Sequence, residues 1–177
     1  GSQEEVMLAH RIIPTLLMDG PKLVKGQKFH AWRSVGVVEQ AVRVHQARGV
    51  DELILLDIDA TPSGCGPDFA AIERLSACCF SPLTAGGGVR SVEDVRQLLR
   101  AGADKVSIGT AAYLEPGFII RDCAEYFGCQ CIVYALDVLE GTTVMMHCGK
   151  HGYSHAPVYC AEWAADHGAG EILLTSI

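Results

Sequence analysis

The sequence contains no apolar stretch near the roughly 18 residues that a membrane-spanning helix needs, so no membrane segment is predicted. Positive charge is scarce as well. Fourteen Lys and Arg against 21 Asp and Glu give a net charge of −7, and no basic run occurs. This balance argues against nucleic acid as a partner. Glu4 and Glu5 make the beginning of the chain acidic, which is not typical of a signal peptide.

The chain also lacks any C-x-x-C pair among its eight cysteines, and four of them lie in apolar runs. Cysteines in such runs usually behave as small hydrophobic residues. The pattern predicts free thiols in a reducing cytoplasm, with no metal site and no cofactor.

What the chain does contain is a regular alternation of apolar runs with amphipathic segments. Buried parallel strands produce such runs, and glycines end the intervening helices, so the sequence predicts an α/β fold. Strands are predicted at 11–17, 52–58, 82–85, 105–108, 130–137 and 171–176, and helices at 37–48, 68–79, 92–100, 117–126 and 158–166. Residues 7–177 are predicted to form one domain, and residues 1–6 are interpreted as a tag and disordered N-terminus. A small hairpin is predicted after the fifth strand, from Gly141 and the apolar residues that follow.

An internal repeat refines this prediction. The segment Glu52–Asp57 resembles Glu171–Ser176, and the two glutamates lie 119 residues apart. A repeat of four βα units at this spacing predicts an eight-unit (βα)8 TIM barrel of about 240 residues. Because the chain stops at Ile177, we expect a barrel truncated after about the sixth strand, and its open edges favour a homo-oligomer.

Glycine-rich turns follow two neighbouring strands. Gly87 and Gly88 follow the third strand, and Gly109-Thr110 follows the fourth. Glycine lets backbone amides approach a ligand closely, and the loops after barrel strands form the active face. Together they predict a phosphate site at Gly87, Gly88 and Thr110, although each turn alone could be only a tight turn.

Three ionisable residues are predicted at the same face. Asp137 ends the fifth strand and is the candidate acid or base, and Lys25, in the loop after the first strand, is a second catalytic candidate. Asp57 ends the second strand as a polar anchor. The alternatives are a solvated lysine for Lys25 and, for Asp57, a structural carboxylate that binds loop amides.

Four charged residues mark the opposite ends of the strands. Arg11, Glu52, Lys105 and Glu171 each precede an apolar run, so each is expected at the bottom of the barrel. Two cations and two carboxylates there could form a stabilising ion-paired plug. Position alone favours that structural reading.

Beyond these patterns, the chain resembles the cyclase subunit of imidazole glycerol phosphate synthase. The resemblance runs from Met7 to Ile177 and is carried by Met7–Pro14, Leu23–Gly26, Asp51–Ile58, Gly86–Ser91, Gly102–Ser107, Thr110–Ala112 and Gly168–Ile177. It implies ammonia supplied by a glutaminase subunit at the N-terminal face of the barrel and a phosphate-bearing substrate at the other face. It also implies that Arg11, Glu52, Lys105 and Glu171 form the ammonia gate.

The sequence departs from that family where Leu17 replaces the first of two catalytic aspartates. A second departure is Gly109, where the cyclases usually have Asn. The loss of one acid with the gate retained resembles a paralogous branch that amidates surface-polysaccharide sugars, which implies a nucleotide-linked or glycosyl substrate. Two other hypotheses stay open: an ordinary cyclase of histidine biosynthesis, and a non-catalytic, self-associating barrel fragment.

Overall fold

A computed structural model describes residues 10–114 and 118–177 of the chain. The strands are β1 (Thr15–Asp19), β2 (Lys22–Gln27), β3 (His30–Val37), β4 (Leu53–Asp57), β5 (Leu83–Gly86), β6 (Lys105–Ile108), β7 (Ile132–Leu139), β8 (Thr143–Met146), β9 (His151–Tyr153) and β10 (Glu171–Ser176). The helices are α1 (Val38–Ala47), α2 (Phe69–Ser76), α3 (Val92–Arg100), α4 (Ala111–Leu114), α5 (Phe118–Phe127) and α6 (Pro157–Asp166), with a short 3-10 turn at Cys129–Cys131.

Six parallel strands form the centre of the sheet, in the order β1, β4, β5, β6, β7 and β10. These are called the barrel strands below. β1 and β10 do not pair with each other, so the sheet is open within the described residues. The α/β class is confirmed, and the open sheet agrees with a barrel of which six strands are present. Self-association through the free edges stays a prediction.

The barrel strands are parallel because each of the first five is followed by a crossover that includes a helix and returns the chain to the same end of the sheet. Their outward side chains pack on those helices in one core, which includes Leu55, Leu83 and Ile132, each at most 1% exposed. Helix α3 begins with a capping box, in which the Ser91 side chain accepts the Asp94 amide and the Asp94 carboxylate accepts the Ser91 amide. None of the helices in the described part of the chain is long and apolar enough to cross a bilayer.

Two antiparallel hairpins extend the sheet at the ends of barrel strands. The hairpin of β8 and β9 lies after β7, as predicted. The hairpin of β2 and β3 was missed, since the segment after the first strand was interpreted as a loop. Its turn places Lys28, Phe29 and Ala31 at positive φ, which non-glycine residues rarely adopt and which sequence patterns do not signal.

The bounds of β6 and β10 are as predicted, but the first strand begins later than expected. Residues 11–14 lie outside β1, although the Pro14 carbonyl accepts the Ile54 amide at 3.0 Å. Proline has no amide hydrogen and cannot complete a strand ladder. The fifth strand also shifts, because Cys129–Cys131 forms a 3-10 turn before β7.

Candidate functional site

A pocket of about 380 Å³ lies at the C-terminal ends of the barrel strands. Residues of the barrel strands line it, including Thr15 and Leu17 on β1 and Leu173, Leu174 and Thr175 on β10. The first and last barrel strands therefore face one interior although they do not pair. The sheet curls as a barrel does, and the pocket occupies its mouth.

Asp137 lies in this pocket at the end of β7, as predicted, and is half-buried. Burial raises the pKa of its carboxyl group, and a hydrogen bond with the Thr175 side chain partly opposes the shift. Thr175 is the direct neighbour of Asp137 in the β7–β10 register. A carboxyl group with a raised pKa that faces a pocket is a candidate for proton transfer.

Asp57 lines the same pocket but is already bound to its own loop. Its Oδ1 accepts the amides of Asp59 at 2.9 Å and Ala60 at 3.1 Å. Burial raises the pKa of Asp57, and these two hydrogen bonds lower it in part. The geometry agrees with both roles considered for Asp57, a polar anchor for a ligand and a structural carboxylate that binds loop amides, because the carboxylate that holds the loop also faces the pocket.

Gly87 lines the pocket beside Asp57, with φ at +109°. A Cβ atom there would overlap the Asp57 carbonyl oxygen and come within 2.8 Å of the Asp57 Cβ atom. The close approach of these two loops therefore requires glycine at this position.

Replacing Gly87 with Ala is expected to lower the free energy of unfolding by about 1–3 kcal/mol, because the side chain is strained at positive φ and displaces the Asp57 loop. Urea denaturation followed by circular dichroism measures this change. Gly36→Ala is the matched control, since Gly36 lies on β3 with ordinary φ and open space around it. Equal midpoints for the two variants would contradict the proposed close packing.

The other two predicted phosphate ligands are engaged elsewhere. The Gly88 amide donates to Thr61 Oγ1 at 3.3 Å, and Gly88 packs on the loop after β4 rather than on the pocket. The Thr110 hydroxyl oxygen accepts the His147 amide at 2.9 Å, which ties it to the β8–β9 turn. A phosphate role for Thr110, with Gly87, stays a prediction.

The structure places Lys25 on β2 and not in a loop, which corrects the sequence interpretation. The Lys25 side chain is exposed and does not line the pocket, because strand alternation turns it away from its buried neighbour Val24. The hairpin instead contributes Phe29 and Trp32, two rings stacked at 6.3 Å that sequence reasoning missed.

The tips of the two hairpins meet above the pocket. A Cβ atom at Gly149, in the β8–β9 turn, would come within 2.9 Å of the Phe29 ring. Cys148 of the same turn lines the pocket, and burial raises the pKa of its thiol. A thiol with a raised pKa is a poor nucleophile, so we interpret Cys148 as part of the pocket lining rather than as a reacting group.

At the opposite ends of the strands, the four predicted charged residues come together. Arg11 donates through Nη1 to Glu52 Oε1, and Lys105 Nζ lies 2.9 Å from Glu52 Oε2 and 2.6 Å from Glu171 Oε1. Arg11 Nη2 is 4.0 Å from Glu171 Oε1, which closes the ring. The four residues are called the ion cluster below.

Burial differs strongly within the ion cluster. Glu52 is only 5% exposed, whereas the Arg11 side chain is 54% exposed. For Lys105, burial alone would lower the pKa, but hydrogen bonds and charges from Glu171 and Glu52 together outweigh it and raise the pKa. Lys105 therefore stays charged, and the cluster is a continuous ionic layer.

Strand alternation connects the ion cluster to the pocket. Lys105 points to the same side as Ser107 on β6, and Glu171 to the same side as Leu173 and Thr175 on β10. Along β10, Glu171 of the cluster lies two residues before Leu173 of the pocket and four residues before Thr175, the neighbour of Asp137, which is about 13 Å at 3.3 Å per residue. Both features therefore belong to one barrel interior.

Three polar or charged side chains are buried in the described part of the chain: Glu52, Thr84 and Ser107. All three lie on the inward face of the sheet. Ser107 lines the pocket, and Thr84 lies on the same face as Gly86, two residues later, which contacts the pocket-lining Leu56 and Ser107. The interior thus carries hydroxyl groups beside both features, because Thr84 is the register partner of Lys105 and Ser107 lines the pocket.

Residues 11–177 match the family model described as histidine biosynthesis protein. The chain belongs to this family. The match covers every barrel strand, the ion cluster and the pocket, and members of the histidine biosynthesis family fold as (βα)8 barrels.

In this member of the histidine biosynthesis family, Leu17 lines the pocket from the middle of β1, two residues before the strand ends. The position that the cyclase resemblance assigns to an aspartate therefore faces the same space as Asp137, but with an apolar side chain. No group of three or more His, Cys, Asp or Glu side chains with metal-binding geometry occurs among residues 10–114 and 118–177. All eight thiols are free.

Proposed function

We propose that the chain is a synthase or cyclase-like subunit that uses ammonia delivered through the barrel interior. The observation that carries this proposal is the convergence of Arg11, Glu52, Lys105 and Glu171 at the foot of an interior whose mouth holds Asp137. A cluster built for stability alone gains little from burying Glu52, because desolvation offsets much of the attraction in buried ion pairs.

The proposed source of ammonia is a glutaminase subunit docked on the N-terminal face of the barrel strands. The ion cluster lies at that face, and the Arg11 and Glu171 side chains are 54% and 37% exposed there. Their partial exposure lets a partner's surface reach the cluster without unfolding the barrel. Ammonia would pass the cluster, follow the hydroxyl groups of Thr84 and Ser107, and arrive at the pocket.

The proposed substrate is a sugar carried on a phosphate or nucleotide, which becomes amidated. Asp137 is the acid or base in the pocket, and Asp57 and Gly87 shape the wall beside it. Leu17 supports this branch over the histidine-pathway cyclase, because a leucine cannot transfer the second proton. Removal of such a group typically costs a factor of about 10²–10⁴ in rate.

Incubation with nitrogen-15 ammonium chloride at pH 8 tests both parts of the proposal, that the chain transfers nitrogen from ammonia and that the acceptor is a sugar. With a nucleotide-linked acetamido sugar supplied as acceptor, we expect the label to enter the acetamidino group that ammonia forms on it, as detected by mass spectrometry, and to be absent from imidazole glycerol phosphate when the cyclase substrate is supplied. The Asp137→Asn variant serves as the control for background amination.

Each alternative result has its own meaning. Formation of imidazole glycerol phosphate by the wild-type chain would reject the sugar branch and favour the histidine-pathway cyclase. Restoration of that activity by Leu17→Asp alone would identify a recently altered cyclase. Absence of label from both products, with the glutaminase subunit present, would reject nitrogen transfer itself.

A further inference from the structure

A second cavity, of about 250 Å³, lies on the outer face of β7, behind the central pocket. Tyr134 on β7 faces this cavity, while its neighbours Ala135 and Asp137 face the barrel interior. Helix α4 contributes Tyr113 and helix α6 contributes Tyr159 and Trp163. With Tyr153 of β9, these five aromatic residues form what is called the aromatic cup below.

The hydroxyl groups at the floor of the aromatic cup are already bonded within the protein. Tyr113 donates to the Ala135 carbonyl at 3.3 Å, and Tyr134 hydrogen-bonds with Tyr113. Burial raises the pKa of both phenols, so both stay neutral. Among residues 10–114 and 118–177, no Lys, Arg, Asp or Glu lines the cavity. Its lining does include the His155 imidazole, the Cys160 thiol and the hydroxyl groups of Tyr153 and Tyr159, so a ligand would meet aromatic ring surfaces together with these polar groups.

Tyr113, Tyr134, Tyr153 and Trp163 are inclined to one another, and the nearly parallel stacking that does occur, of His155 on Tyr153 and Tyr159 at 28° and 21°, already takes up one face of each tyrosine ring. Tyr113 makes angles of 46° with Tyr134 and 61° with Tyr153, and Tyr134 makes 57° with Trp163. A flat ring needs a parallel face on which to stack, whereas a compact group contacts several inclined faces at once. The volume is below the 300 Å³ or more typical of sites for drug-sized ligands, so it suits a single head group.

We propose that the aromatic cup binds a small alkylated ammonium group through the faces of its rings. Aromatic faces carry negative electrostatic potential and attract cations within about 6 Å of the ring centre. A quaternary ammonium needs no hydrogen-bond acceptor, which matches a floor whose hydroxyl groups are already committed. The protein's net charge of −7 favours the approach of a cation from solution.

The two tryptophans of the chain allow each cavity to be observed separately. Trp32 lines the central pocket, and Trp163 lines the aromatic cup. In a Trp32→Phe variant, the fluorescence of Trp163 alone reports on the cup. Titration with tetramethylammonium chloride at constant ionic strength is expected to give a saturable change in this fluorescence. The Trp163→Phe variant, which retains Trp32, is expected to give none.

Replacing single aromatic residues measures how much each ring contributes to the binding of tetramethylammonium. In the Trp32→Phe background, Tyr159→Leu and Tyr153→Leu are each expected to weaken tetramethylammonium binding by roughly 2- to 30-fold. Tyr159 is 51% exposed, so its replacement leaves the core intact. Tyr126→Leu is the matched control, because Tyr126 is an exposed tyrosine on α5 outside the cup.

The neutral molecule tert-butanol, which has nearly the same shape, separates cation binding from simple apolar filling. We expect it to bind at least about fivefold more weakly than tetramethylammonium, since it lacks the charge that the rings attract. Equal binding of the two probes would overturn the proposal, and so would a loss of affinity in Tyr126→Leu as large as that in Tyr159→Leu. A signal that does not saturate would also overturn it.

Discussion

Replacing Asp137 with Asn is expected to lower the rate of the proposed nitrogen-transfer reaction by a factor of about 10²–10⁴. Asp137 and Asp57 are the two carboxylates that line the pocket, and Asp57 is held by two loop amides. Asparagine keeps the size of the side chain but cannot exchange a proton. Steady-state rates with ammonium as nitrogen donor measure the loss.

The same variant is expected to be more stable than the wild type at neutral pH. Burial raises the pKa of Asp137 above that of an unfolded chain, so the folded state favours the protonated form. The stability that this proton contributes is complete below the unfolded value of about 3.9 and is lost as the pH rises through the folded pKa. Above its folded pKa the wild type carries a partly desolvated carboxylate, and Asn removes that cost.

Thermal unfolding at pH 7 and pH 4 measures the difference. Asp137→Asn is expected to raise the midpoint more at pH 7 than at pH 4, whereas Asp19→Asn, an exposed carboxylate on β1, is the control without that pattern. A variant that is both inactive and less stable at pH 7 would indicate that Asp137 is a structural residue, which would contradict its assigned role.

The pH dependence of the rate gives an independent check on Asp137. If the carboxylate is the base, activity falls as the pH drops through its raised pKa. Thr175 lowers that pKa by hydrogen bonding, so Thr175→Val is expected to move the acid limb of the profile to higher pH. An unchanged limb in Thr175→Val would assign the profile to another group.

The parallel strands could be predicted closely because each carries its own signal. Lys105–Ile108 and Glu171–Ser176 are short apolar runs, each preceded by a glycine that ends the previous segment. The convergence of the ion cluster was predictable for the same reason. Residues that begin parallel strands share one end of the sheet, and alternation then places them on one face.

The upper rim of the pocket could not be predicted, because it depends on contacts between distant turns. Phe29 reaches the pocket through a turn with positive φ at non-glycine residues, which no pattern signals. Thr110 and Gly88 look free in the sequence, yet His147 and Thr61 bind them from other loops. Their partners lie 37 and 27 residues away in the chain.

The aromatic cup was missed for a related reason. Its members come from two helices, a barrel strand and a hairpin, spread from Tyr113 to Trp163. Aromatic residues at helical or strand spacing usually indicate core, and Tyr134 is indeed 1% exposed. That a cavity remains between such side chains follows only from how the elements pack, which the sequence does not show.

Replacing Glu52 with Gln is expected to lower the free energy of unfolding by about 3–5 kcal/mol, since it leaves the buried end of the ion cluster without its central carboxylate. Arg11 and Lys105 both bind Glu52, which is 5% exposed. Arg11→Gln is the matched variant on the exposed side, where an ion pair contributes about 0–1 kcal/mol. Urea denaturation gives both values, and equal losses would contradict the difference in burial.

The Arg11→Gln variant also separates a role of the ion cluster in ammonia passage from a role in folding. Arg11→Gln keeps the Glu52–Lys105 and Lys105–Glu171 pairs, so the barrel is expected to fold normally. If the cluster controls the passage of ammonia, glutamine-dependent turnover with the glutaminase subunit falls while turnover with added ammonium is retained, because free ammonia enters at the open mouth. A parallel fall of both rates would assign the ion cluster to stability alone. A selective loss is a result that a purely structural plug cannot produce, because such a plug has no means of distinguishing the two sources of nitrogen.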